Sequence, residues 1–108
     1  SDVRKCAFLR TVIRATETNA TVITGRIEDV EPQKADILTA RALAPMPKLL
    51  NYTFRHLANG GTALLPKGRL WEQEVAASKE AWHFDLTSHK SKTNEEAVIL
   101  EIQNLESA

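Results

Sequence analysis

Cysteine is almost absent from this chain of 108 residues, which contains only Cys6. A single cysteine excludes a disulfide within the chain and is typical of the reducing cytoplasm, which is where we expect the protein to act. Cys6 lies on a predicted amphipathic helix, and no neighbouring group that would activate its thiol is evident. We therefore predict that it is a small core or boundary residue and not a nucleophile.

Long apolar runs are also missing. No stretch approaches the roughly 20 residues that a membrane-spanning helix needs, and "SDVRKCAF" at the start lacks the apolar centre of a secretory signal. We therefore expect no membrane partner. Apolar residues make up 43% of the chain and charged residues 26%, which is ordinary for one modest globular domain.

An excess of charge of either sign is absent, because 14 basic side chains balance 14 acidic ones. No overall field marks a nucleic-acid-binding protein, although basic groups can still be confined to one face. The three histidines show no metal-ligand spacing and have no cysteine partners, so we predict no metal site. We expect His56 to lie on a helix surface. No Ser-His-Asp or Cys-His arrangement is evident either.

What is present is an alternation of helical and strand patterns. Apolar residues at helical spacing and helix-forming residues predict helices over 2–16, from the prolines at 45 and 47 to "NGG" at 59–61, and over 71–82. Short β-branched or apolar runs predict strands near 21–24, 36–40, 62–66, 83–89 and 97–102. Trp71 and Trp82 would then share one helix and pack into the core. Alternating strands and helices imply a parallel α/β sheet, and the last two strands should form an antiparallel hairpin at its edge.

The chain also lacks a glycine-rich phosphate loop and opens with a helix where such sheets ordinarily open with a strand. It therefore looks like the second half of a larger domain. Ligands of open α/β sheets bind at the carboxyl ends of the strands. Three groups follow predicted strands there, namely "GRIEDV" at 25–30, Arg41, and "PKGR" at 66–69. Each of them taken alone is also compatible with a solvated loop.

Taken together, these segments resemble the small-subunit ribosomal RNA methyltransferase G family, the glucose-inhibited-division-type enzymes that methylate N7 of a guanine in 16S rRNA. The matching stretches are "SDVRKCAFLR", "GRIEDV", "ADILTARALAPMPKLL", "LANGGTALLPKG" and "EEAVILEI". The resemblance covers essentially the whole chain but only the C-terminal part of the family's length. It implies the C-terminal part of a class I S-adenosylmethionine-dependent, Rossmann-like α/β fold with a terminal antiparallel hairpin.

The resemblance also implies roles for particular residues. Ile27 and Glu28 should lie against the adenine of S-adenosyl-L-methionine, and Arg41 corresponds to a cofactor-binding arginine after the family's fourth strand. The family's glycine-rich loop and its ribose-binding acid would precede Ser1. Lys67 and Arg69 are candidates for contacts with phosphates of the 16S rRNA, and Lys90 and Lys92 could extend that surface, although ordinary solubility explains those two equally well.

The implied chemistry needs no catalytic side chain. N7 of guanine carries an in-plane lone pair, so in-line methyl transfer to it requires alignment and no general base. Residues 1–108 alone are expected to be inactive and to bind the cofactor very weakly. Their incomplete sheet could self-associate, with the vacant position filled by an upstream segment or by a second copy. The main alternative is a non-catalytic α/β module that binds RNA or a protein partner.

Overall fold

A computed structural model describes residues 3–41, 45–90, 92 and 96–108. The chain divides into two compact units, Ser1–Glu31 and Pro32–Ala108. Within the described ranges no helix is both long and apolar enough to cross a lipid bilayer. The functional groups that the sequence predicts are distributed over both units.

The first unit contains helix α1, Val3–Thr16, which confirms the predicted helix except at position 2, outside the described residues. Its end adopts a Schellman-type cap, in which the N–H of Thr18 donates to the carbonyl of Ile13 at 3.1 Å. Glu17 has the left-handed φ of 54° that this cap requires, a position usually taken by glycine. Cys6 is buried, which confirms its predicted packing role.

The predicted strand at 21–24 is wrong, because these residues form no ladder. A strand needs a neighbour that exchanges backbone hydrogen bonds with it, and here a side chain donates to the segment instead. The guanidinium of Arg10 donates to the carbonyl of Val22 at 3.1 Å and to Oγ1 of Thr24 at 2.8 Å. Local β-branched composition is therefore not sufficient to form a strand without a partner.

The second unit is built on a mixed sheet of four strands, which confirms the predicted α/β fold with a terminal hairpin. Strand β1 is Ala35–Thr39, β2 is Leu57–Lys67, β3 is Trp82–Lys90 and β4 is Val98–Ser107. Their order across the sheet is β1-β2-β4-β3. The β1–β2 pair is parallel, and β4 pairs antiparallel with both β2 and β3. The last strand therefore lies inside the sheet, between the two strands that precede it.

Helix α2, Met46–His56, connects β1 to β2, but it ends before the glycines that were predicted to stop it. The backbone becomes extended at Leu57, so "NGG" belongs to the start of β2, where the ladder with β1 is irregular. Gly60 has a φ of 78°, and a Cβ on Gly61 would lie 2.8 Å from the carbonyl oxygen of Ala35. The glycines therefore permit a bulge and a close strand approach instead of ending a helix.

Helix α3, Trp71–Ser78, is shorter than the predicted helix over 71–82. Lys79 and Glu80 are good helix formers, but Trp82 opens β3 and pairs with Ser107. Its ring is buried and lies with its centroid 5.4 Å from that of Phe54 on α2. Burial of the large indole in the sheet outweighs local helix propensity, so the two tryptophans pack into one core from different elements.

The core lies between the sheet and helices α2 and α3. Its fully buried side chains come from every layer and include Met46, Leu50, Leu65, Leu100 and Ile102. His56 belongs to this interior and not to the helix surface, which corrects the prediction. Its Nδ1 accepts a hydrogen bond from the backbone N–H of Gln33 at 3.3 Å. The end of α2 therefore faces the segment that enters β1, and burial follows from that packing.

Candidate functional site

The carboxyl ends of β1 and β2 lie side by side, because the two strands are parallel neighbours with Thr39 paired to Leu64. Arg41 follows β1 by two residues and is exposed. In the part of the chain that the structure describes, its guanidinium has no hydrogen-bond or ion-pair partner. An arginine at the carboxyl ends of the strands whose guanidinium has no partner is available to bind a carboxylate, a phosphate or the edge of a base.

Further cations lie along this same edge of the sheet. Lys67 ends β2 and pairs with Val98 at the start of β4, and Val98 pairs with Lys90 at the end of β3. Lys67 and Lys90 are therefore in one row across three strands. Arg69 and Lys92 are exposed in the segments that leave this edge. Glu96 is an exposed acidic residue of the same region, so the basic character is local and not unbroken.

Lys67 differs from its basic neighbours because it is already in an ion pair. Its Nζ lies 3.0 Å from Oε1 of Glu74 on α3. Only 12% of the Lys67 side chain is exposed, whereas Arg69 is exposed. The structure thus places the two predicted phosphate contacts in different environments, one held within the protein and one open to solvent.

Ile27 and Glu28 belong to the first unit and lie in a tight turn. The backbone N–H groups of Asp29 and Val30 donate to the carbonyl of Arg26 at 2.9 and 3.0 Å. The side chain of Ile27 is half-buried and that of Glu28 is exposed. The turn therefore presents an apolar group next to a carboxylate, a combination that suits a flat heterocycle with amino groups.

Within the described ranges no group of three or more metal-ligating side chains comes together. A hollow lined by Phe54, Asn59, Gly60, Asn104 and neighbouring residues lies at the opposite edge of the sheet, where β2 begins and β4 ends. It is therefore separate from the edge that carries Arg41 and Arg69.

The role of Glu74 could not be found from the sequence. Its carboxylate also accepts the backbone N–H of Met46, the first residue of α2, at 3.2 Å. In the sequence Glu74 is one of several acidic residues at the start of a helix, where such residues are common. The only local signal is Pro45, whose side chain cannot cap α2, so that another residue has to do so.

Comparison with known proteins gives this edge a context. The model of the family described as rRNA small subunit methyltransferase G matches residues 1–102. The chain belongs to this family. A methyltransferase G from Paramagnetospirillum magneticum is 49% identical over 105 residues, covering 97% of this chain and 51% of the relative. One from Paracoccus denitrificans is also 49% identical, over 109 residues, covering 100% of this chain and 56% of the relative.

The chain therefore spans about half the length of the curated methyltransferase G relatives that it matches. Among solved structures, M. jannaschii TYW2 in complex with AdoMet has a TM-score of 0.61 at 18% identity, covering 95% of this chain and 53% of that one. This likeness shows a shared fold. The second unit is accordingly part of a Rossmann-like class I methyltransferase sheet, as the resemblance in the sequence implied.

Proposed function

We propose that the complete protein transfers a methyl group from S-adenosyl-L-methionine to N7 of a guanine in 16S rRNA, and that it does so in the cytoplasm. The observation that supports this best is an exposed arginine without a partner in the described chain, at the carboxyl edge of a sheet in a member of this family. The relatives are named as ribosomal RNA methyltransferases, and the basic row beside Arg41 suits an RNA substrate.

The side chains present fit the chemistry of this cofactor in two separate places. In the first unit, Ile27 offers apolar contact to an adenine ring, and Glu28 offers acceptors to an amino or hydroxyl group. In the second unit, the guanidinium of Arg41 can hold the methionyl carboxylate in a bidentate pair, a geometry that a lysine does not reproduce. Arg41 could also hold a phosphate or a guanine edge.

When bound, S-adenosylmethionine would supply an electrophilic methyl group: the lone pair of N7 would form the new N–C bond as the S–C bond breaks, S-adenosylhomocysteine would leave, and no proton would be released. The residues of the chain then have to align N7 of the guanine with the methyl group. Such positioning can lower the activation barrier by about 7–11 kcal/mol. We assign no general base and no metal to the reaction. Arg69, with Lys90 and Lys92 along the same edge, would provide the positive potential that holds the RNA backbone.

The experiment is methylation of small ribosomal subunits by the complete protein with a labelled methyl donor, followed by mass spectrometry of the nucleosides. Label in 7-methylguanosine supports the proposal. Label in another nucleoside would support methyltransferase activity but contradict methylation at N7 of guanine. RNA binding without any transfer of label would favour the alternative, a non-catalytic RNA-binding module.

A further inference from the structure

One carboxylate connects three elements behind the proposed RNA-facing edge. Oε1 of Glu74, on α3, accepts from Nζ of Lys67 at 3.0 Å and from the backbone N–H of Met46 at 3.2 Å. Lys67 ends β2 and Met46 begins α2. The side chains of Lys67 and Glu74 are 12% and 29% exposed, so this contact is largely shielded from water.

Helix α2 needs this contact because its own N-terminal residues cannot supply a cap. The first N–H groups of a helix lack partners within the helix, and a serine, threonine, aspartate or asparagine usually accepts one of them. Here Pro45 stands at the cap position and makes no side-chain hydrogen bond. Glu74 supplies the missing acceptor from a different helix, and its negative charge is favourable at this end of α2.

The consequence concerns Arg41, which lies two residues after the end of β1 and five residues before Met46, the first residue of α2. The side chain of Met46 is fully buried. Resting on the function proposed above, we propose that Glu74 is a positioning residue for methyl transfer. It fixes the start of α2, only five residues after Arg41 in the sequence, and thereby restricts where Arg41 can lie. Lys67 acts through Glu74 and does not contact an RNA phosphate, whereas Arg69 does.

The competing role for Lys67 is direct contact with phosphate. To make that contact, the ammonium would have to leave a shielded carboxylate and leave Glu74 without its cation. Arg69 is exposed and has no ion-pair partner in the described ranges, so it can bind a phosphate without such a loss. The geometry therefore predicts opposite results for two basic residues that are only two positions apart.

The first arm of the test uses the salt dependence of RNA binding by the complete protein. A phosphate contact contributes about 0.7–0.9 to the slope of log affinity against log salt. We expect Arg69→Gln to lower the slope by that amount and Lys67→Met to leave it unchanged. An equal loss of slope in Lys67→Met would place Lys67 on the RNA and overturn the proposal.

The second arm separates positioning from stability through kinetics. Glu74→Ala should lower kcat at least about tenfold while the KM for RNA changes little, because misplaced groups reduce catalysis more than binding. Glu74→Gln should recover much of the loss, since its amide oxygen can still accept from Met46. Glu72→Gln, on the exposed side of the same helical turn, is the matched control and should behave as the unmodified protein.

Unchanged kcat in Glu74→Ala, or equal losses in Glu74→Ala and Glu74→Gln at equal thermal stability, would overturn the positioning role. Should Glu74→Ala fail to fold, the kcat of Glu74→Gln relative to Glu72→Gln still tests the role of Glu74, and the salt slopes still test the role of Lys67. Failure of the proposed function is a different result. In that case the unmodified protein would transfer no methyl group, while the salt slopes would still report which residue contacts the RNA.

Discussion

At the scale of single residues, Gly61 lies where β1 and β2 approach each other closely. A Cβ at this position would lie 2.8 Å from the carbonyl oxygen of Ala35 and 3.0 Å from that of Ala58, and backbone cannot move aside as a side chain can. We expect Gly61→Ala to lower the free energy of unfolding by about 1–3 kcal/mol. Chemical denaturation measures this, and Gly68→Ala is the control, because nothing lies within 4 Å of its added Cβ. Equal stability of the two variants would contradict the argument.

A second prediction at this scale concerns Arg41. Because the side chain is exposed, Arg41→Lys in the complete protein should leave Tm nearly unchanged. Loss of a bidentate pair should raise the KM for the cofactor, or lower kcat, by about tenfold or more. Arg14→Lys, at an exposed position of α1, should change neither quantity. A large loss of stability with normal activity would make Arg41 structural.

The residue scale also shows what the sequence could not reveal about the site. The strand-end positions of Arg41 and Arg69 follow from pattern alone, because a β-branched or apolar run followed by a breaker marks where a strand ends. The pairing of Lys67 with Glu74 depends on the placement of α3 against the sheet, which no local pattern specifies. His56 was misplaced for the same reason, since its burial arises from the segment entering β1.

At the scale of elements, β4 is an inner strand of the second unit, with β2 on one side and β3 on the other. Leu100 is fully buried and the adjacent Ile99 is 39% exposed, as strand alternation requires. We expect Leu100→Ala to cost about 2–5 kcal/mol of stability. Ile99→Ala should cost at most about 1 kcal/mol. Equilibrium unfolding in urea compares them, and similar losses would show that the two faces of the strand are not distinct.

The elements also separate what local sequence determines from what it does not. Strands β1 and β3 and the hairpin were predicted close to their observed positions, because breakers or turns bound both runs, whereas β4 continues to Ser107, five residues beyond its predicted end. The predicted end of α3 was wrong because burial of Trp82 in the sheet outweighs the helix propensity of the residues before it. The strand predicted at 21–24 was wrong because a strand forms only when a second segment pairs with it, and no segment in the described residues pairs with this one.

At the scale of the whole molecule, β1 is an edge strand of the sheet, and its Ile37 is 66% exposed. Edge strands with free backbone groups invite pairing with another chain. The chain also spans about half the length of the relatives that it matches. We therefore predict that residues 1–108 alone bind S-adenosylmethionine very weakly, transfer no methyl group and self-associate.

Calorimetry with the cofactor and sedimentation of residues 1–108 test this prediction, with the complete protein as the control. Micromolar binding of the cofactor by a monomer would show that the second half of the sheet is sufficient. A monomer that does not bind the cofactor would support the prediction of weak cofactor binding and contradict the prediction of self-association through β1.

The place of β4 in the sheet has a consequence for how the protein is made. β3 is hydrogen-bonded to the rest of the sheet only through β4, although it is synthesised earlier. As the chain emerges from the ribosome, β3 has no ladder to join until β4 has followed it. Folding of this unit therefore has to wait for the translation of β4, and the nascent β2 and β3 present open edges until then.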